Sequence, residues 1–296
     1  MTPLLPLLLA AQAAALEPAP PPRPVAAAPA ARHALILCGH PGDADHAKAF
    51  ADTVRKLGEG LTKAAGIPAA RQRVVFGAEQ PTGLPGATGP CTREALTAAV
   101  AETLKAVGPD DGLWVVVLGH AHHDGRQTWL NLPGPDLNAV EFGRLFAEVK
   151  CREQVFVMTT SLSGFFVAPL AKRDRVVIAA TEADAETNET TFPAVFAQTL
   201  ATGLNPDEQD FDKDGRLTLF DLYVATAKEV AGAYATNEQL ATEHSQLDDD
   251  GDGVGHEVQA AFLPPEQGGV KPGAKAKGRP HPDGQRAARV VLTLGK

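Results

Sequence analysis

The residues of this chain best suited to chemistry lie in a few short stretches. In Leu113–Gly125, LWVVVLGHAHHDG, an apolar run stops at a glycine, and three histidines and an aspartate follow at once. In Gln154–Gly164, QVFVMTTSLSG, a second apolar run gives way to two threonines and two serines. An imidazole titrates near neutrality and can move a proton there. A serine hydroxyl attacks only when an aligned base takes its proton. His120 as base and Ser161 as nucleophile would therefore make a hydrolase. His120, His122 and Asp124 offer a different chemistry, since two imidazoles and a carboxylate can hold a zinc ion with one position open. A third set is acidic. Carboxylates crowd into Asp210–Asp221 and Asp248–Asp252, and such groups repel until a cation joins them.

Something must carry these side chains to a common place. Both apolar runs are short and continuous, as in strands buried on both faces of a parallel sheet. In such sheets chemistry gathers just beyond the carboxyl ends of the strands. The plain alternative for the histidines is a hydrated polar loop. Further strands are expected at His33–Cys38, Arg73–Phe76 and Arg175–Thr181. Helices are expected at Asp43–Ala65, from Thr92, and over Asn138–Val149, Thr191–Leu200 and Leu219–Ala233. Phe50, Val54, Leu57 and Leu61 form the apolar face of the first. Strands alternating with helices predict an α/β fold, a mostly parallel sheet with right-handed crossovers and helices on both faces. If the sheet grows outward in sequence order, the third and fourth strands are neighbours, and His120 and Ser161 meet at one rim.

The stretches Leu118-Gly119-His120-Ala121 and Thr159-Thr160-Ser161-Leu162-Ser163-Gly164 resemble the caspase and legumain group of cysteine peptidases. In that group a His-Gly follows one strand, and a Cys, often with Ser-Gly shortly after, follows the next. The opening segment and the strand order also look like that group. The resemblance implies a peptidase fold and a peptide or protein ligand. Two departures bear on activity. Ser161 stands where the group has its cysteine, and a hydroxyl has almost no ionised form at neutral pH. Ala121 stands where a glycine amide usually helps to bind an oxyanion. Ordinary cysteine-peptidase chemistry is thus not expected, and the leading expectation is an inactive homologue. An α/β-hydrolase elbow fits less well, because the pattern is not G-x-S-x-G. His120-Ala121-His122-His123-Asp124 resembles the start of a metallo-β-lactamase zinc motif, but Gly125 replaces its next histidine. Zinc is therefore not the cofactor expected.

Asp210–Asp221, DFDKDGRLTLFD, resembles an EF-hand loop. Asp210, Asp212 and Asp214 stand at positions one, three and five, Gly215 at the sharp turn, and the Arg216 carbonyl at seven. Thr218 would act through water, and Asp221 stands at twelve, where sensor loops carry Glu and dockerin modules carry Asp. Asp248, Asp250 and Asp252 repeat the first half of the pattern, with Gln259 at twelve and Glu257 as a spare carboxylate. The cofactor this implies is Ca2+.

The chain has 296 residues and a net charge of −9. No basic stripe is available for phosphate, so nucleic-acid binding is not expected. No apolar run is long enough to span a bilayer. The start of the chain resembles a secretory signal, with Leu4–Ala11 apolar and small residues at Ala11–Ala15, although no Lys or Arg precedes it. Residues 1–15 are read as a signal peptide, 16–32 as a Pro/Ala-rich linker, 33–205 as the α/β domain, 206–260 as a helical calcium-loop extension and 264–289 as a disordered tail. A secreted or periplasmic protein follows from this reading. Cys38, Cys91 and Cys151 show no CxxC spacing and suit small buried hydrophobes better than nucleophiles.

Overall fold

A computed structural model describes residues 28–77, 84, 86–184, 186–269 and 283–293 of the chain. The signal peptide, most of the linker and residues 270–282 of the expected tail lie outside the described residues. Ten strands occur among those described: β1 Arg32–Cys38, β2 Gln72–Phe76, β3 Ala87–Thr88, β4 Gly112–Leu118, β5 Ala121–His123, β6 Thr128–Leu130, β7 Leu137–Asn138, β8 Glu153–Met158, β9 Val176–Ala179 and β10 Gln246–Asp248. The helices are α1 Ala44–Lys63, α2 Arg93–Ala106, α3 Ala139–Leu145, α4 Val167–Leu170, α5 Phe192–Thr202, α6 Pro206–Gln209 and α7 Leu219–Thr236.

The central sheet runs β10-β9-β8-β4-β1-β2-β3. All its pairings are parallel except that of β10 with β9. The core strands alternate sides residue by residue, as period-two geometry requires. Ile36, Val116, Val157 and Ile178 face a layer built from α1, α5 and α7, with Leu57, Phe196 and Tyr223 among its buried side chains. Leu37, Val117, Met158 and Val177 face the opposite layer, where α2, α3 and α4 contribute Leu96, Phe142 and Leu170. Helices therefore cover both faces, and the α/β fold expected from the alternation is the one observed. On that second side the buried Arg175 guanidinium lies 4.4 Å from the Phe156 ring centroid. Its charge is made tolerable by hydrogen bonds to Gln154 Oε1 and the carbonyls of Leu170 and Phe146.

Several local expectations need correction. β5, β6 and β7 form a separate three-stranded antiparallel sheet, adding strands to those expected. α3 ends at Leu145, short of Val149. Residues 206–260 are not set apart from 33–205, because α7 packs in the same core and β10 completes the central sheet. Residues 283–289, expected to be disordered, form a turn whose Ala287 and Ala288 are buried. Val291 bridges Thr218 at the entrance to α7. No helix among the described residues is long and apolar enough to cross a membrane.

Candidate functional site

His120 and Ser161 follow the carboxyl ends of β4 and β8, on a rim shared with β1 and β9. β4 and β8 are adjacent, with Val117 opposite Met158. The chain leaving β8 is anchored at once, since both the Thr159 amide and its hydroxyl donate to the Val117 carbonyl, at 3.0 and 2.7 Å. Ser161 follows, buried at 5% exposure. Its hydroxyl donates to the Ala121 carbonyl at 3.2 Å. The Ala121 amide donates back at 3.4 Å. The two strand ends therefore do meet, but through the backbone of Ala121.

The turn that presents Ser161 is tightly held. Leu162 adopts φ +55°, a left-handed conformation that non-glycine residues seldom take. Its amide donates to the Glu186 carbonyl at 3.0 Å. The buried Ser163 hydroxyl accepts from the Thr181 amide at 3.0 Å. At Gly164 a Cβ would stand 2.3 Å from the Ala183 nitrogen, so the Ser-Gly pair answers to close backbone packing.

His120 points along the rim toward β1. Its Nε2 lies 3.2 Å from the Pro41 carbonyl. A carbonyl only accepts, so this bond assigns the proton to Nε2 and leaves the lone pair on Nδ1. The ring packs 5.5 Å from Phe50 and 5.5 Å from His46. His46 lies in the first turn of α1, where Asp43 caps the helix by accepting from the His46 amide at 2.9 Å. The same carboxylate oxygen meets His46 Nδ1 at 2.7 Å, and Glu189 Oε2 meets Nε2 at 3.0 Å. These two carboxylates raise the His46 pKa above its ordinary value. His46 and Glu189 carry no signal at short sequence range. They are joined only by the fold.

The zinc set His120, His122 and Asp124 does not converge. His122 Nδ1 is 2.7 Å from Asn131 Oδ1 on the exposed hairpin. Asp124 accepts from the Arg126 and Gln127 amides and the Trp129 indole, which hold its carboxyl down at about 2. The H-x-H-x-D spacing thus belongs to the start of a β-hairpin, and separate partners (Pro41, Asn131 and Trp129) take up the three side chains.

Oxygen ligands gather at both acidic loops. Carboxylate oxygens of Asp210, Asp212 and Asp221 lie within 4.8 Å of one another. This donor set suits a hard cation such as Ca2+. The Asp214 carboxylate is instead paired with Arg216 two residues on. Thr218 caps α7, and its hydroxyl donates to Asp221 Oδ2 at 2.7 Å. Burial pushes the Asp221 carboxyl up to about 6. In the second loop Asp248 and Asp250 converge with Asp283, again within 4.8 Å. Asp252 turns away and accepts from the Val254 amide. Asp283 was not read from the sequence, because it lies beyond the low-complexity segment and follows no loop pattern. It also accepts from the Asp249 amide at 2.8 Å. Cys38, Cys91 and Cys151 are buried free thiols, and burial raises each above its ordinary pKa.

No protein-family model and no curated protein matches this chain. Among solved structures it is similar to the Drosophila initiator caspase Dronc, at 11% sequence identity and a TM-score of 0.45, covering 82% of this chain and 88% of that one. It is similar also to caspase-1 from Spodoptera frugiperda, at 11% identity and a TM-score of 0.45, covering 74% of this chain and 86% of that one. The likeness is one of α/β architecture and assigns no role to any residue here.

Proposed function

We propose that this chain is an exported, calcium-binding homologue of the caspase and legumain peptidases that holds a peptide or protein ligand without cleaving it. The observation that carries the reading is the Ser161 hydroxyl, whose proton is given to the Ala121 carbonyl. A serine nucleophile needs that proton aimed at a base. The His120 ring is meanwhile held by Pro41. The peptide ligand rests on the motif resemblance around His120 and Ser161. Calcium would bind through Asp210, Asp212 and Asp221 in the first loop, and through Asp248, Asp250 and Asp283 in the second. Its role would be to neutralise carboxylates that otherwise repel, bracing α7 and β10 against the sheet.

A fluorophosphonate probe tests the reading. The wild-type protein is expected to remain unlabelled. Labelling that vanishes in both Ser161→Ala and His120→Ala would replace it with an active serine hydrolase. Peptidase activity gained by Ser161→Cys would support the relationship to cysteine peptidases.

A further inference from the structure

Three side chains from three separate segments meet beside the rim: His46 in the first turn of α1, His120 after β4 and Glu189 before α5. One ligand atom of each lies within 4.8 Å of the other two. We propose that His46, His120 and Glu189 form a binding site for a transition-metal dication, Zn2+ first among them.

The donor set is the first argument. Two imidazoles and one carboxylate suit zinc and leave a fourth position for water or a ligand. Calcium prefers oxygen donors alone and is served by the acidic loops. Distance is the second. Tetrahedral zinc with bonds of about 2.0–2.2 Å sets neighbouring ligand atoms about 3.4 Å apart. His46 Nε2 and Glu189 Oε2 already stand 3.0 Å apart. They need to separate by only about 0.4 Å to admit the ion, and both side chains are partly exposed and able to move.

The third argument is the outer shell. A metal-binding histidine commonly gives its other ring nitrogen to a carboxylate or a carbonyl, which fixes its tautomer and aim. Asp43 Oδ1 does this for His46 at 2.7 Å. The Pro41 carbonyl holds one nitrogen of His120 at 3.2 Å. His46 is thus aimed before any ion arrives, and the Pro41 bond restrains the His120 ring. The site does not depend on Ser161 being inert. A metal held by His120 would occupy the lone pair that a general base requires.

Isothermal titration of the full chain with zinc chloride, with Ca2+ in excess to fill the acidic loops, tests the proposal. Wild type is expected to take up one equivalent of zinc. His46→Ala and Glu189→Gln should each weaken binding about tenfold or more. Asp43→Asn keeps an N-cap for α1 but should weaken the metal about tenfold through lost orientation. His244→Ala, in a separate group with Glu182 and Glu186, should leave uptake unchanged. Co2+ should give the intense visible absorption of a four-coordinate site with wild type and lose it in His46→Ala. Circular dichroism checks that each variant is folded. No zinc uptake by wild type, uptake unchanged in both His46→Ala and Glu189→Gln, or uptake lost in His244→Ala would overturn the assignment.

Discussion

Ser161 and Ala121 hold each other, the hydroxyl donating to the carbonyl at 3.2 Å and the amide returning a contact of 3.4 Å. The pair clasps the loop after β8 to the loop after β4. Ser161→Ala opens the clasp and leaves a partly buried carbonyl without this donor. The expected cost is about 1 kcal/mol. Thermal unfolding should show it as a drop of about 2–4 °C. A drop near zero would mean that water replaces the hydroxyl.

Gly164→Ala is expected to be far more damaging. The new Cβ would lie 2.3 Å from both the Ala183 nitrogen and the Glu182 carbonyl carbon. Neither backbone can yield without moving the turn that carries Ser161. A loss of about 3 kcal/mol or more is expected, measured by urea unfolding. A soluble variant of wild-type stability would show that the 182–183 segment gives way.

His244 links stability to pH. The Glu186 carboxylate, hydrogen-bonded to its ring, raises the His244 pKa from 6.5 to about 8. The folded pKa is the higher one. Its contribution is therefore complete below pH 6.5 and fades as pH rises through 8. The ring is 41% exposed, so solvent screening holds the effect to about 1 kcal/mol. His244→Ala should lower the melting temperature at pH 6 and leave it nearly unchanged at pH 9.

Calcium should raise the melting temperature, and chelation should lower it. Burial lifts the Asp221 carboxyl from 3.8 to about 6. A proton therefore competes with the cation for this oxygen pair. The calcium-dependent increment should be full at pH 7 and shrink as pH falls through 6. Asp212→Ala should remove the share of it that comes from the first loop, while Asp252→Ala should change it little. Titration by differential scanning calorimetry with and without chelator reads all three.

Much of the frame could be read from the chain because buried parallel strands write themselves as unbroken apolar runs. Leu113–Leu118 and Val155–Met158 are of this kind, and both are core strands. The start of α1 was equally legible, since aspartates precede a regular apolar stripe, and the fold selects Asp43 among them as the cap. The small antiparallel sheet was missed because Ala121–His123 and Thr128–Leu130 are only three residues each, too short for a period to show. The meeting of His46 with Glu189 was out of reach, because 143 residues separate them and only the sheet order brings them together. Asp283 failed for the same reason. It joins Asp249 across 34 residues of unpatterned chain.

The single antiparallel pairing in the main sheet has a practical outcome. β10 lies against β9 over Gln246–Asp248 and takes up hydrogen-bonding groups that would otherwise face solvent. A fragment cut at residue 205 would keep six of the seven strands yet present β9 as a raw border. Bare borders of this sort recruit other chains. Shortened versions made for crystallisation or binding assays should therefore retain residues through at least 248, or they will self-associate in place of folding cleanly.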